Sequence, residues 1–394
     1  MTKVVLSGAF HLFCLAGWCG FPVAGFGAET NQIAALKTSI ILNYAILLHA
    51  EYEDSLAGAR NLNSAIDQFI AKPSPATLQA ARNAWVKARN PYLQTEVGRF
   101  YDGPIEPIEG FINAWPVDES YIDYTVSDPN AGIVNQADLF PVISREVLIA
   151  ANEKDGEKNV STGYHAMEFL LWGQALDPVG PGNRPSTDYL PAAHNYARRA
   201  LCLQVIASLL VEYMTTLERE WRDGVPDNYR SKFLARPPDE ALGNILNGLG
   251  NFSGTELSGE RLLTPYTTKD RRDQHSCFSD MTCLDLTRNE IGIQNVYLGQ
   301  YKSENGTLIS GPGLYDLLRK TDPALAETMK KQIQQAVDAF KAIPPPFEKA
   351  ISGLDTDPGR VAVRKTLDAL QAQTASIANA ATTLGIRLNL QAPQ

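Results

Sequence analysis

The residues best suited to chemistry in this sequence are His165 and Glu168, three positions apart in the segment STGYHAMEFLLWG at 161–173. On a helix of 3.6 residues per turn they lie on one face, where an imidazole and a carboxylate can converge on one metal ion. Ser161 or Thr162 could cap the start of this helix. A core helix with one hydrogen-bonded histidine fits the spacing too, because a three-residue match often arises by chance.

Further side chains could complete a metal site, because imidazole combined with carboxylates suits iron, manganese or zinc. Glu256 and Glu260 are four positions apart and would share a helix face, while Glu109 and His275 come from other segments. The two neighbouring acids could equally be solvated near a helix end, paired with Arg261. His275 could instead be a loop or capping residue. Glu96 and Asp280 are further oxygen donors of the same kind.

Length and charge limit the classes of function. The chain has 394 residues, 44% of them hydrophobic and 20% charged, with a formal net charge of −9. This length is typical of two domains. An acidic surface argues against nucleic-acid binding, because phosphates would be repelled, and is compatible with attracting cations.

Residues 1–28 have the composition of a secretory signal peptide. Lys3 precedes an apolar run from Val4 to Phe26, and small residues follow up to Ala28. A membrane anchor is the alternative, because the apolar run is nearly long enough to span a bilayer. No later stretch approaches the ~18 consecutive apolar residues of a spanning helix, so we expect a soluble, exported mature protein.

Three cysteines remain after a signal peptide is removed. Cys277 and Cys283 could form a small-loop disulfide in an exported protein, which would leave Cys202 as an odd thiol in an apolar helix. If the segment is helical, a six-residue offset places the two sulfurs on different faces and disfavours the bond.

Helical spacing of apolar residues and the positions of proline predict an all-α fold. Ser74 followed by Pro75 marks a helix start. Residues 102–160 are broken by glycine and proline and form a long connection, either a functional one or a structural wrap whose acids face water. A proline-rich linker at 224–239 would separate a bundle at 29–223 from a second at 240–394. The repeated order of elements suggests two four-helix-bundle-like domains related by a degenerate internal duplication. His275 and Phe278 would then correspond to His165 and Glu168.

The Gly-x-His-x-x-Glu pattern from Gly163 to Glu168 resembles the signature of the imelysin family of bacterial cell-envelope proteins. Other segments strengthen the resemblance, in particular to the iron-regulated branch of that family: EGFINAWP at 109–116, GPGNRP at 180–185, SGTELSGER at 253–261 and HSCFSD at 275–280. The resemblance runs from about Thr30 to the C-terminus. It implies an all-helical, two-bundle envelope protein linked to iron acquisition, and it brings a peptidase label.

The sequence gives that peptidase label no mechanism. Zinc peptidases place two histidines on one helix, as in His-Glu-x-x-His or His-x-x-Glu-His, but Phe169 rather than a histidine follows Glu168 here. A Gly-x-Ser-x-Gly nucleophile motif is also absent, and a ferritin-like di-iron site would need Glu-x-x-His twice.

One position departs from the family pattern. Cys283 stands where relatives usually have a histidine, which weakens the expected contribution of the second half to a site.

The sequence therefore predicts an exported protein of the periplasm or cell envelope that binds iron, or an iron complex, for uptake. The metal could also be zinc, and an inner-membrane iron transporter is a possible recipient. The predicted metal ligands are His165, Glu168, Glu109, Glu256, Glu260 and His275. A metallopeptidase acting on exported polypeptides is the alternative.

Overall fold

The computed structural model describes residues 24–390, with side chains from residue 31 onward, and these residues form a helical protein. The predicted signal peptide at 1–28 therefore lies almost entirely outside the described residues. The all-α prediction is confirmed, with one small addition: strands β1 (Gln300–Lys302) and β2 (Leu308–Ser310) form an antiparallel hairpin in which Tyr301 pairs with Ile309.

Between residue 24 and the proposed linker the structure has eight α-helices, and the four short ones lie in the long connection predicted at 102–160. They are α1 (Ala24–Ala71), α2 (Pro75–Thr95), α3 (Gly110–Asn113), α4 (Glu119–Ile122), α5 (Gly132–Asn135), α6 (Arg145–Ala151), α7 (Gly163–Trp172) and α8 (Tyr196–Trp221).

Eight further α-helices and one π-helical segment follow. They are α9 (Tyr229–Leu234), α10 (Pro238–Asn251), the π-helix (Phe252–Leu263), α11 (Thr264–Thr268), α12 (Thr282–Leu298), α13 (Leu314–Thr321), α14 (Pro323–Ala342), α15 (Phe347–Ile351) and α16 (Pro358–Thr383). The π-helix joins α10 and α11 without a break. It is unusually long, because π-helices are mostly single turns inside α-helices.

The predicted start of α2 is confirmed. Ser74 Oγ accepts a hydrogen bond from the Thr77 amide at 3.2 Å, the Thr77 hydroxyl accepts one from the Ser74 amide, and Pro75 takes the first helical position. Such a cap satisfies amide groups that a helix start leaves free, and it fixes where the helix begins. The first residue of α2 is therefore set by local sequence.

One continuous apolar core includes helices from both predicted halves. Helix α1 packs against α2, α8 and α10, and α2 also packs against α12. The predicted linker contains α9, whose Phe233 is buried against Tyr44 and Trp221. The internal duplication and the domain boundaries remain predictions.

Two helices of the described region are long and apolar enough to cross a membrane by length and composition, namely the part of α1 from Asn31 to Ala71 and helix α8. Within the protein, 44% and 56% of their most apolar windows are buried. Core helices of a bundle have this character too, so these helices are weak evidence for a membrane span.

The cysteines of the described region are unbridged. Cys202 and Cys277 are buried and Cys283 is partly buried, each as a free thiol.

Candidate functional site

Helix α7, which carries His165 and Glu168, is fastened at its start to the segment around Ile112. Gly163 has φ +81°, and a Cβ at this position would lie 2.4 Å from the carbonyl oxygen of Ile112. Thr162 occupies the cap position but makes no side-chain cap bond, and its hydroxyl donates instead to the Phe111 carbonyl at 3.0 Å. The first glycine of the motif is therefore needed for both its backbone conformation and its lack of a side chain.

His165 and Glu168 contact each other in the interior of the protein. His165 Nδ1 lies 2.8 Å from Glu168 Oε2, and both side chains are fully buried. The other carboxyl oxygen, Oε1, accepts hydrogen bonds from the Ser279 amide and hydroxyl at 2.7 Å each. Within the described part of the chain, His165 Nε2 has no hydrogen-bond partner. A buried nitrogen without a partner is rare in native proteins, and a bound metal ion would give it one.

His275 lies beside His165 and has a similar environment. The two ring centroids are 4.8 Å apart, with the planes inclined at 74°, and the Trp115 ring contacts both imidazoles. His275 Nδ1 is 3.0 Å from Asp285 Oδ2, and Nε2 is 3.4 Å from the side-chain nitrogen of Asn113. A proton on Nδ1, donated to Asp285, leaves Nε2 as the acceptor that the Asn113 donor requires. Each imidazole therefore has a carboxyl group at Nδ1.

The surroundings keep both imidazoles neutral. Burial lowers the pKa of His165 well below 6.5, and Arg89 lowers it further. Burial also lowers the pKa of His275 well below 6.5, and Arg261 and Arg89 lower it further. Burial also raises the pKa of Glu168 to about 8, although hydrogen bonds from Ser279 oppose the shift. The pair of His165 and Glu168 is therefore uncharged at pH 7, although its geometry is that of an ion pair.

A cavity of about 250 Å³ opens next to His275. The lining includes four of the six predicted ligands, Glu109, Glu256, Glu260 and His275, together with Trp115. The structure therefore brings these four together, although they come from three distant parts of the sequence. His165 and Glu168 are not part of this lining, and His165 contacts two of the lining residues, His275 and Trp115.

Arginines hold the carboxylates of this cavity. Arg261 donates to both oxygens of Glu96, at 2.7 and 2.8 Å, and to Glu256 Oε1 at 2.7 and 2.9 Å. Arg99 Nη1 lies 3.3 Å from Glu109, 3.5 Å from Glu256 and 3.6 Å from Glu96. Three acids and two guanidinium groups thus form one network beside the two histidines, and two of the predicted ligands belong to it.

The electrostatics of the acids differ. Burial opposes ionisation of Glu96, but Arg261 outweighs burial and lowers the pKa to about 2. Burial also opposes ionisation of Glu256, and Arg261 and Arg99 outweigh it, so this pKa is lowered as well. For Glu109, burial exceeds the effect of Arg99 and the pKa is raised. Glu109 is therefore the acid of this network that gains a proton most readily.

Sequence reasoning named Arg261 as a partner of Glu256 and Glu260 but missed Arg89 and Arg99. Arg89 donates to Asp285 at 2.6 Å and to Asn113 at 2.9 Å, and so connects the environments of both predicted halves. A signal was present, because Arg89 continues the buried face of α2 formed by Ala81 and Trp85 at intervals of four. A charge in an apolar stripe requires a buried partner.

Asp280, another oxygen donor considered from the sequence, is not in the lining of this cavity and lies beside Glu348. Burial and the neighbouring carboxyl group of Glu348 raise the pKa of Asp280 to about 7.

A second group of metal-competent side chains lies between α1 and α8. Ligand atoms of His49, Glu53 and Glu218 are all within 4.8 Å of one another, with His49 Nε2 2.9 Å from Glu218 Oε1. Arg222 also binds Glu218, with Nε 2.8 Å from Oε1, so this carboxylate already has a cationic partner. The i, i+4 spacing of His49 and Glu53 was the signal in the sequence.

Comparison with known proteins identifies the family of this chain. The family model described as Peptidase M75, Imelysin, matches residues 48–377, which is most of the chain. The chain belongs to the imelysin family. The resemblance read from the Gly-x-His-x-x-Glu pattern is thereby confirmed at family level.

Individual imelysin relatives extend over nearly the whole chain. Iron-regulated protein A of Synechococcus elongatus is 28% identical over 363 residues, covering 90% of this chain and 86% of the relative. A crystal structure described as an iron-regulated protein A precursor from Parabacteroides distasonis has a TM-score of 0.69 at 19% identity, covering 89% of this chain and 95% of that one. An imelysin-like protein from Psychrobacter arcticum has a TM-score of 0.65 at 15% identity, with coverages of 91% and 98%. At these identities the two structures establish the fold alone.

Proposed function

We propose that this imelysin-family protein is exported to the cell envelope and binds iron, or an iron complex, at the His165–His275 site for uptake into the cell. The observation that carries the proposal is the pair of buried, neutral imidazoles, each with a carboxyl group at Nδ1 and with the Nε2 atom of His165 unpartnered in the described structure. Histidines that bind metals usually donate their other ring N–H to a carboxylate or carbonyl, which fixes the tautomer.

Each predicted ligand has a role in this proposal. His165 supplies the lone pair of its unpartnered Nε2, and His275 supplies its Nε2 lone pair in place of the contact with Asn113. Glu168 and Asp285 orient the two rings. Glu109, Glu256 and Glu260 line the cavity together with His275 and are the oxygen donors of this proposal. Imidazole with oxygen donors suits iron and also zinc, so the donor set is compatible with either metal.

The assignment to iron and to the envelope has separate support. One relative carries the name iron-regulated protein A. The apolar N-terminal sequence has the order of a signal peptide, which would direct the chain to the periplasm in a bacterium with two membranes. A protein that binds iron there would pass it to an inner-membrane transporter.

The peptidase label of the family motivates one competing function, a metallopeptidase. A general base must reach the proton of an attacking water. Both carboxyl oxygens of Glu168 are already engaged, by His165 and by Ser279. The geometry therefore favours binding over hydrolysis.

Metal analysis of His165→Ala tests the proposal. Protein purified without chelators should contain iron, and His165→Ala should weaken iron binding by more than about 100-fold, because loss of an outer-shell partner alone costs about 10–100-fold. His194→Ala, at an exposed histidine, is the control. His49→Ala measured in parallel corrects for metal bound by His49, Glu53 and Glu218.

Two results would contradict the proposal. Equal iron affinity in wild type and His165→Ala would remove the metal from this site. Chelator-sensitive cleavage of an unfolded protein such as casein, lost in His165→Ala, would favour the peptidase instead.

A further inference from the structure

We propose that the carboxyl groups of Asp280 and Glu348 share one proton, and that this acid pair is a pH-sensitive latch between helix α15 and the segment 275–281. The latch is closed when the proton is bound and open when both groups are ionised. Because the segment carries His275 and Ser279, the latch controls how firmly these two residues are held. The inference does not depend on iron binding.

Each of the two carboxyl groups has one oxygen held by the backbone. Glu348 is 5% exposed, and its Oε1 accepts a hydrogen bond from the Gly180 amide at 2.5 Å. Asp280 accepts one from the Phe347 amide at the start of α15. Within the described part of the chain, Glu348 Oε2 and Asp280 Oδ1 are buried and have no donor group as a partner. The two carboxyl groups are hydrogen-bonded to each other, which requires a proton on one of them, because an ionised carboxyl group has only acceptors.

The guanidinium group of Arg271 lies beside the pair but is used elsewhere. Its two Nη atoms donate to the backbone carbonyl groups of Asp177, Gly180 and Cys277. Nη2 is 3.9 Å from Glu348 Oε1, which is beyond hydrogen-bonding distance, and Nε makes no hydrogen bond within the described residues. By contrast, the buried acids Glu96 and Asp285 each accept hydrogen bonds from an arginine at 2.6 to 2.8 Å. A proton rather than an arginine therefore neutralises the pair of Asp280 and Glu348.

The charges around the pair place its titration near neutral pH. Burial and the carboxyl group of Glu348 raise the pKa of Asp280 to about 7, although Arg271 opposes the shift. From α12, Cys283 faces the two acids as a neutral thiol, because burial followed by Asp280 and Glu348 raises its pKa to about 12. The cations next to the far end of α15 are engaged there: Lys269 with the Gly353 carbonyl, and Arg360 with Asp355 and the Ile351 carbonyl. The latch is therefore closed below about pH 7 and open above it.

Opening of the latch loosens the segment locally. When both acids are ionised, two like charges face each other in a partly buried setting and repel, so Asp280 and helix α15 separate. Asp280 directly follows Ser279, whose amide and hydroxyl both donate to Glu168, and Ser279 then loses a neighbour that fixes its backbone. The bond from the Gly182 amide to the Phe278 carbonyl, at 2.8 Å, involves neither acid and still holds the segment.

Thermal unfolding of Asp280→Asn at pH 5 and pH 8 tests the inference. The asparagine amide donates the hydrogen bond that the shared proton supplies, and it does not ionise. In the wild type, the stability that comes from the raised pKa is present at acidic pH and is lost as the pH rises to about 7. The Tm of Asp280→Asn relative to wild type should therefore be higher at pH 8 than at pH 5, by about 2 °C or more. Asp227→Asn is the matched control, because Asp227 is exposed and has φ +58°, close to the +60° of Asp280.

Hydrogen exchange locates the effect and supplies the contrary outcomes. After correction for the intrinsic rate, amides of α15 and of 275–281 in the wild type should exchange about tenfold faster at pH 8 than at pH 5, and those of Asp280→Asn should not. Equal pH dependence of wild type and variant in both measurements overturns the latch. Stabilisation of the wild type, but not of Asp280→Asn, by calcium chloride at pH 8 would assign the pair to a cation instead of a proton. If Asp280→Asn does not fold, as judged by circular dichroism, Glu348→Gln provides the same comparison.

Discussion

The hydrogen bond between His165 and Glu168 links metal binding to the position of one proton. Oε1 of Glu168 accepts from both donor groups of Ser279, so a proton on this carboxyl group must sit on Oε2, which faces His165 Nδ1. In that state Nδ1 accepts, and the imidazole proton is on Nε2. When Glu168 loses its proton, Nδ1–H donates to the carboxylate and Nε2 has a free lone pair. Only the second state can bind a metal through Nε2.

We therefore predict that metal affinity rises with pH. Because the pKa of Glu168 is raised to about 8, the competing proton is bound below that pH and must leave when a metal binds. The dissociation constant for zinc(II), measured by competition with a chromogenic chelator, should fall by up to about tenfold per unit between pH 6 and pH 8 and level off above pH 8.

Glu168→Gln provides the control for this titration. The amide does not titrate, so the pH dependence between 6 and 8 should flatten whether or not the absolute affinity drops. A wild-type affinity that is constant over this range would contradict the proton exchange.

Among the elements, helix α7 depends most on a single backbone position. Gly163 combines a positive φ with a backbone approach to Ile112 that leaves no space for a methyl group. The same contact sets the position of α7 relative to the segment that carries Glu109, Asn113 and Trp115. Gly163 of the Gly-x-His-x-x-Glu pattern thus positions helix α7, whereas His165 and Glu168 form the proposed metal site.

Gly163→Ala should destabilise the protein by about 3 kcal/mol, because left-handed backbone strain of ~1–2 kcal/mol adds to a steric clash. Gly180→Ala is the matched control. Gly180 also has a positive φ, of +99°, but a Cβ there meets nothing within 4 Å, so only the strain of about 1 kcal/mol remains. Urea unfolding of both variants measures the difference. Equal losses would show that the contact with Ile112 is unimportant.

Local sequence predicted the elements better than the contacts among them. The Ser74 cap and the helix bearing His165 followed from spacing and capping chemistry, which are properties of adjacent residues. The bond between Glu168 and Ser279 joins positions 111 apart, and helical periodicity identifies a face but not its partner. The π-helix and the β-hairpin were missed for a related reason. The residues of the π-helix also fit an ordinary α-helix, and tertiary packing decides between the two. The hairpin had a local signal that was not used, Asn305-Gly306 between its two short strands.

At the scale of the whole molecule, the site joins the two predicted halves. Several buried interactions cross between them, among them Arg89 with Asp285, Glu96 with Arg261, and Glu168 with Ser279. Sequence reasoning assigned ligands to both halves but could not show that they meet in one cavity. Because breaking a buried pair costs about 3–5 kcal/mol, separation of the halves would be strongly unfavourable.

The two halves should therefore unfold together. All five tryptophans lie at or before position 221, so their fluorescence reports the first half, whereas far-ultraviolet circular dichroism reports helices of both. We expect the two signals to give the same urea midpoint. Two distinct midpoints would instead indicate independent domains. Glu96→Gln should lower both midpoints by the same amount, because Glu96 belongs to the shared network.

The wide helical segment Phe252–Leu263 has a consequence for how such proteins diversify. It carries Glu256, Glu260 and Arg261, and a stretch wound more loosely than an α-helix can lose a residue and still form a regular helix. A one-residue deletion would turn the following side chains by about 100° and take Arg261 away from Glu96. A small insertion or deletion in Phe252–Leu263 would thus alter ligand preference in a single mutation, while helices α10 and α11 at its two ends keep their packing. We expect relatives that bind different ligands to differ in length in this segment.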